Sequence, residues 1–213
     1  MAGTDPWFDA SDVVPMFPTL VWKLTPGPER AQSIRSGVHA ALARLRRDQP
    51  APGRSQGWQS AHDIHRLDEL VALVDCVLHA CAAVLKFLRI GHEAIEVTGG
   101  WVNVLAPGAS HPMHSHPNNF LSAIYYVQTQ QGADTINFHD PRPQAGVIRP
   151  PVTSLTGENT DQVVVRIADG ALLVFPSYLQ HSVDANASEA ERVSISFNLM
   201  FSGFAQQIAK PLW

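Results

Sequence analysis

From residue 96 to residue 201 the chain is a succession of short β-rich runs, and no other feature narrows its fold so far. The runs cover residues 96–105, 121–127, 135–139, 162–167, 171–175, 181–183 and 192–201, and Gly, Pro, Asn and Asp separate them. Short strands punctuated by turn residues predict an all-β sandwich or barrel. The first half reads differently. Ile34, Val38, Leu42 and Leu45 fall three to four apart, which predicts a helix over residues 29–47, ended by Pro50, Pro52 and Gly53. A second helix is expected over residues 63–88, where Leu67, Leu70, Val71, Val74, Val77, Leu78, Cys81 and Val84 supply an apolar face able to pack on a sheet. Residues 1–27 read as an irregular arm with a short strand near 20–24. Helices first and strands after predict an α+β arrangement. Residues 1–213 are expected to form one domain. The arm and helices of 1–92 buttress a β-structure over 93–213, because helices and sheet should share a core.

Composition enters as a set of exclusions. Of the 213 residues 45% are hydrophobic, enough for a sizeable core, and the net charge is -4 without a basic patch. That balance argues against a nucleic-acid partner. Cys76 and Cys81 are five apart inside a helical pattern, so they read as buried free thiols and not as a disulfide. The first residues lack a basic stretch and a continuous apolar stretch, so no signal peptide is expected. No apolar run is expected to reach membrane-spanning length. Together these place the protein, as an expectation, in a reducing cytoplasm.

The chemistry-bearing residues are histidines. His111, His114 and His116 lie in HPMHSHPNN, before the strand LSAIYYV, and His181 lies in FPSYLQHSV. At a strand mouth alternate residues point the same way, so His114 and His116 can converge on one point. His181 can complete a set of three, and imidazole suits Fe, Zn, Cu and Ni. A lone loop histidine is usually a surface or capping residue; the grouping is what changes the reading. Further on, Arg192, Ser194 and Ser196 share one face of the strand RVSISFNLMF, and Val193, Ile195 and Phe197 share the other. An interior Arg beside hydroxyls matches a carboxylate through bidentate hydrogen bonding, against the plainer reading of an Arg paired with a surface acid. Trp101 reads as core. Glycines 99, 100, 132, 157 and 170 read as turns, with no phosphate-binding loop, and no GxSxG elbow accompanies Ser110 and His111. The polar stretch 154–161 reads equally as a lid or as a plain surface loop.

The order HSH, IYYV, GADTINF, GALLVFPSYLQHSV, RVSIS resembles the Fe(II)/2-oxoglutarate-dependent oxygenases. It is most similar to their small bacterial and phage group and, more distantly, to the prolyl-4-hydroxylase branch. The resemblance spans about residues 99–201. It implies a double-stranded β-helix, a jelly roll of about eight strands, with a metal at one open end. It implies that His114 and His181 bind iron. It further implies that Arg192, with Ser194 or Ser196, grips the distal carboxylate of 2-oxoglutarate. Tyr126 is implied to bind the same carboxylate, and Asn103 to line that pocket. Fe(II), 2-oxoglutarate and O2 are the implied cofactors. The implied reaction is hydroxylation of an unactivated C–H bond in a small or amino-acid-like molecule, with release of succinate and CO2.

One position departs from the family pattern. Many members carry His-x-Asp or His-x-Glu with a distant His, whereas His116 stands where the carboxylate would be. Three readings stay open: His116 ligates, Asp140 supplies a carboxylate, or two histidines leave a position for water or substrate. A small residue at that position would suit a halogenase, and His116 argues against one. Asp140 and Arg142 are also substrate candidates, Arg142 suiting an acidic or amino-acid-like molecule; the plainer reading is an Asx-Pro turn. Two other classes compete. A cupin-like three-His metalloenzyme would not need 2-oxoglutarate or the grip of Arg192, Ser194, Ser196 and Tyr126. A non-enzymatic jelly-roll binding module would not need His114, His116 and His181. The first helix can serve a homodimer or pack on the sheet, and both stay open.

Overall fold

The structure is a computed structural model that describes residues 7, 10–47, 49, 51–91 and 94–204. Pro50, named above as a helix stop, and most of residues 1–9 lie outside the described residues. The elements run β1 (Trp22–Leu24), α1 (Pro28–Arg46), β2 (Gly57–Gln59), α2 (Val71–Phe87), β3 (Ile95–Leu105), β4 (His111–His114), β5 (Leu121–Gln128), β6 (Thr135–His139), β7 (Gln162–Arg166), β8 (Leu172–Pro176), β9 (His181–Val183) and β10 (Arg192–Phe201).

The strands form two antiparallel sheets, one ordered β1-β8-β5-β10-β3-β2 and the other β4-β9-β6-β7. From β3 to β10 the chain passes repeatedly between them, which is the winding of a double-stranded β-helix. β1 and β2 only extend the edges of the larger sheet. The central strands of that sheet, β8, β5 and β10, are buried on both faces, where successive side chains point to opposite sides. Tyr125, Val193, Ile195, Phe197 and Leu199 face the helices and pack with Leu73, Val77, Cys81 and Val84. Ile124, Tyr126, Leu173 and Phe175 face the smaller sheet and pack with Ile136, Phe138 and Leu179. Each such side chain contributes about 1.5–3 kcal/mol of burial energy, and the double demand explains why these strands read as near-continuous apolar runs.

The helices differ from expectation in two ways. The second begins only at Val71, after two single 3-10 turns, Ile64–Arg66 and Asp68–Leu70. By length and composition the stretch Asp68–Phe87 is apolar enough to cross a membrane, contrary to the expectation above. Here it lies on the sheet, with Leu73, Val77, Ala80, Cys81, Val84 and Leu85 buried. Cys76 and Cys81 are free thiols; Cys81 is buried, and burial pushes its pKa up to about 12, while Cys76 is half-buried. Two strands were not anticipated. β2 had read as loop, and β4 had read as the approach to β5.

Candidate metal centre

The pairing of β4 with β9 sets His114 directly across from His181, with ring centroids 4.3 Å apart. His116 lies two residues past the end of β4, where its backbone N–H donates to Ser177 O at 2.9 Å. Its ring sits 5.1 Å from His114 and 5.2 Å from His181. One ring nitrogen from each of the three lies within 4.8 Å of the others, a spacing able to hold a metal ion.

The protonation of this trio follows from its partners. Nδ1 of His114 faces Pro112 O at 2.8 Å, and Nδ1 of His181 faces Leu179 O at 3.0 Å. A carbonyl only accepts, so each Nδ1 carries the proton and each Nε2 keeps its lone pair for a metal. Burial is the largest influence on His116 and His181, pushing their pKa values down to about 3 and about 4. Neighbouring imidazoles add to the effect, and at His181 the Leu179 carbonyl opposes it. Three imidazoles are a donor set suited to Fe, Zn, Cu or Ni.

His111, at the other end of β4, stands 4.5 Å from the His114 ring. Burial, then the charges of His114 and Arg192, push it down to about 4. Arg192 opens β10 with its side chain inside the barrel, and the residue is only 3% exposed. Its guanidinium lies 5.3 Å from the centroid of the Tyr126 ring, whose hydroxyl feels its charge, and among the described residues its one hydrogen bond of good geometry to the backbone is a long contact from Nη2 to Thr135 O at 3.5 Å. Two buried polar atoms here make no hydrogen bond among the described residues: Arg192 Nε and the Tyr126 hydroxyl. Burial pushes Tyr126 up to about 12, against the pull of the Arg192 charge, so its phenol is a neutral donor. A buried guanidinium with unmet donors is costly unless an anion completes it. The interior therefore fits a carboxylate.

The remaining sequence candidates divide. Ser194 and Ser196 lie on the same face as Arg192, in register with Asn103 and Trp101 of β3. Asn103 donates to Ser196 Oγ at 2.9 Å and accepts from Gln59 Nε2 at 2.7 Å, so β2 braces that wall. Asp140 follows β6 and is held by Arg142, whose backbone N, Nε and Nη2 donate to it at 2.9, 3.0 and 2.7 Å. Among the described residues the metal-holding cluster contains no carboxylate, and Asp140 is not part of it. Arg142 is exposed beside it.

Trp101 had read as core. It is indeed buried, but it lies 5.6 Å from His116, stacks on His62 at 4.5 Å, and its Nε1 has no partner among the described residues. The signal was present: Trp101 alternates with Asn103 on one strand face. His62, His65, Gln59 and Asn137 carried no such signal, because their neighbours come from distant parts of the chain.

A double-stranded β-helix with an imidazole trio at one end and a buried arginine within defines a jelly-roll protein with a site able to hold a metal ion. More particularly, residues 99–198 match the family model described as "Putative 2OG-Fe(II) oxygenase", so this segment carries that family's sequence pattern. No curated protein matches the chain. Among solved structures, a Pseudomonas putida prolyl-4-hydroxylase is similar at 16% identity and TM-score 0.59, covering 87% of this chain and 94% of that one. HygX from Streptomyces hygroscopicus, solved with nickel and 2-oxoglutarate bound, is similar at 13% identity and TM-score 0.59, covering 87% and 84%. The epimerase SnoN, in complex with Fe3+, alpha ketoglutarate and nogalamycin RO, is similar at 16% identity and TM-score 0.61, covering 86% and 80%. At such identities the likeness establishes a shared fold.

Proposed function

We propose that the protein is an Fe(II)- and 2-oxoglutarate-dependent oxygenase that hydroxylates an unactivated C–H bond of a small, amino-acid-like molecule. In this reading His114, His116 and His181 hold the metal, and Arg192 holds the distal carboxylate of 2-oxoglutarate. The observation that carries it is the buried Arg192, its Nε unpartnered beside an unpartnered Tyr126 hydroxyl, inside the barrel that bears the histidine trio.

When bound, iron and 2-oxoglutarate supply the oxidising chemistry, with succinate and CO2 left from the cosubstrate. The chain's own residues bind, orient and exclude water. The Pro112 and Leu179 carbonyls hold the Nδ1 protons of His114 and His181 and so aim each Nε2. Tyr126 stays neutral and donates to the anion. Asn103, braced by Gln59, fixes Ser196 on the wall beneath it. Ile124, Leu173 and Phe175 keep the interior dry, which strengthens each polar contact there. Asp140 and Arg142 stand at the end of β6 as substrate contacts.

The all-imidazole donor set favours one second reading, a three-His metalloenzyme that does not use 2-oxoglutarate. One anaerobic titration separates them. Fe(II) and then 2-oxoglutarate are added to the metal-free protein, and the visible spectrum is recorded for the weak charge-transfer band of the chelate. The oxygenase reading expects a band that is lost in His181→Ala and weakened in Arg192→Ala. Iron binding without a band leaves the three-His reading; no iron binding removes both.

A further inference from the structure

A cleft of about 510 Å3 lies on the helix side of the larger sheet, with the sheet between it and the histidine trio. Val38, Leu42, Val127 and Val193 form its apolar floor. Arg35, His39 and Arg46 of α1 stand along one rim, and Gln128 with Asp169 along the other. The charges on the rim are not equivalent. Arg46 is paired with Glu191 at 2.8 Å, and Asp169 accepts from the backbone N and the hydroxyl of Thr129 at 2.6 and 2.8 Å. Among the described residues Arg35 has no ion pair or hydrogen bond, whereas the Asp169 carboxylate is already engaged by Thr129, so Arg35 is the unpartnered cation at this mouth.

The floor holds one polar group. Tyr125 is 2% exposed, it lines the cleft, and its hydroxyl makes no hydrogen bond to the described residues. Burial raises its pKa, so the phenol is protonated and able to donate. Gly170, with φ +81°, closes the wall beside that hydroxyl; a Cβ there would stand 4.0 Å from it. The register of β10 against β5 slips at this place: Val193 pairs with Gln128 and Ser194 with Tyr126, leaving Val127 as the extra residue of a β-bulge in the cleft floor. Bulges of this kind re-aim side chains beside binding sites.

We propose that this cleft is a second ligand site, taking a small organic anion with an apolar body. The apolar part covers Val38, Leu42, Val127 and Val193; the Tyr125 hydroxyl donates to the ligand, and Arg35 receives its charge. The volume falls in the range of small-molecule sites, roughly 300–1,000 Å3. The site is separate from the metal centre, yet only one residue removed from it along two strands. Tyr125 and Val193 line the cleft, while their neighbours Tyr126 and Arg192 face the barrel interior.

The test uses 1-anilinonaphthalene-8-sulfonate, an apolar anion whose fluorescence rises on burial, with the full chain free of metal. Saturable one-to-one binding is expected, displaced by octanoate and not by octanol. Arg35 is exposed on α1, so Arg35→Glu leaves the core intact; it should raise the dissociation constant about tenfold or more, the scale of a lost charge-assisted contact. Ala43→Trp, which fills the cleft from α1, should have a similar effect. His181→Ala should have none. Equal binding by parent, Arg35→Glu and Ala43→Trp would overturn the proposal, as would loss of binding in His181→Ala, which would put the probe in the metal cavity.

Discussion

Arg192 shows what a single side chain can disclose. Its burial carries a cation into an apolar interior, and among the described residues its bond to the backbone is long. In the ligand-free protein that is a source of instability: replacing an ill-compensated buried charge by an apolar group of similar length is neutral or stabilising by about 1–4 kcal/mol. Arg192→Met is therefore expected to raise the melting temperature of the metal- and ligand-free protein by about 2–4 °C per kcal/mol gained, and to remove any response to 2-oxoglutarate. A ligand-free variant that melts lower than the parent would mean that the guanidinium is satisfied from within. Arg192 was legible in the sequence because strand alternation fixes which residues share a face, and the three histidines because they are grouped in HPMHSHPNN and FPSYLQHSV. Trp101 was legible only as buried. Alternation placed it beside Asn103, but nothing local could say that His62 and His116 would flank it.

At the scale of elements, the long strands were read almost to their ends, and the connecting pieces were not. β4 is four residues long and contains Pro112, and β2 is three residues long, so neither holds enough alternation to register; both become strands through partners far along the chain. The delayed start of α2 has the same origin. The 3-10 turn Asp68–Leu70 brings the Glu69 carbonyl against α1 at Gly37, where a Cβ would overlap that oxygen. Helix propensity alone favours Ala over Gly by about 1 kcal/mol. The contact decides the sign instead, because the opposing atom is backbone and cannot rotate away. Gly37→Ala should destabilise the protein by about 1–3 kcal/mol, the usual cost of overpacking, read as a lower urea midpoint with unchanged slope. A stabilised variant would show that α1 and the turn are free to separate. Gly100→Ala is expected to act likewise, since its Cβ would meet His65 and Phe197 at 3.1 Å where β3 passes beneath the first 3-10 turn.

For the whole molecule, the proposed function makes the two sheets carry complementary halves of one site. The smaller sheet contributes His114 and His181, and the larger contributes Arg192 and Tyr126. Anything bound to both halves ties the sheets together, so ligands should appear as stability. Ni(II) probes the imidazoles without redox chemistry. At a hundredfold excess over its dissociation constant a ligand adds about 2.7 kcal/mol, or about 5–10 °C for a chain of this size. Ni(II) alone should give a rise of that order in the parent, and 2-oxoglutarate a second rise only when Ni(II) is present. His116→Ala should diminish the first rise, and Asp140→Asn should leave it intact, because Asp140 is held by Arg142 outside the cluster. Arg192→Met should retain the first rise and lose the second. The opposite pattern for His116 and Asp140 would hand the third metal position to the carboxylate. A second rise that persists in Arg192→Met would remove that arginine from the cosubstrate pocket while leaving the metal centre in place.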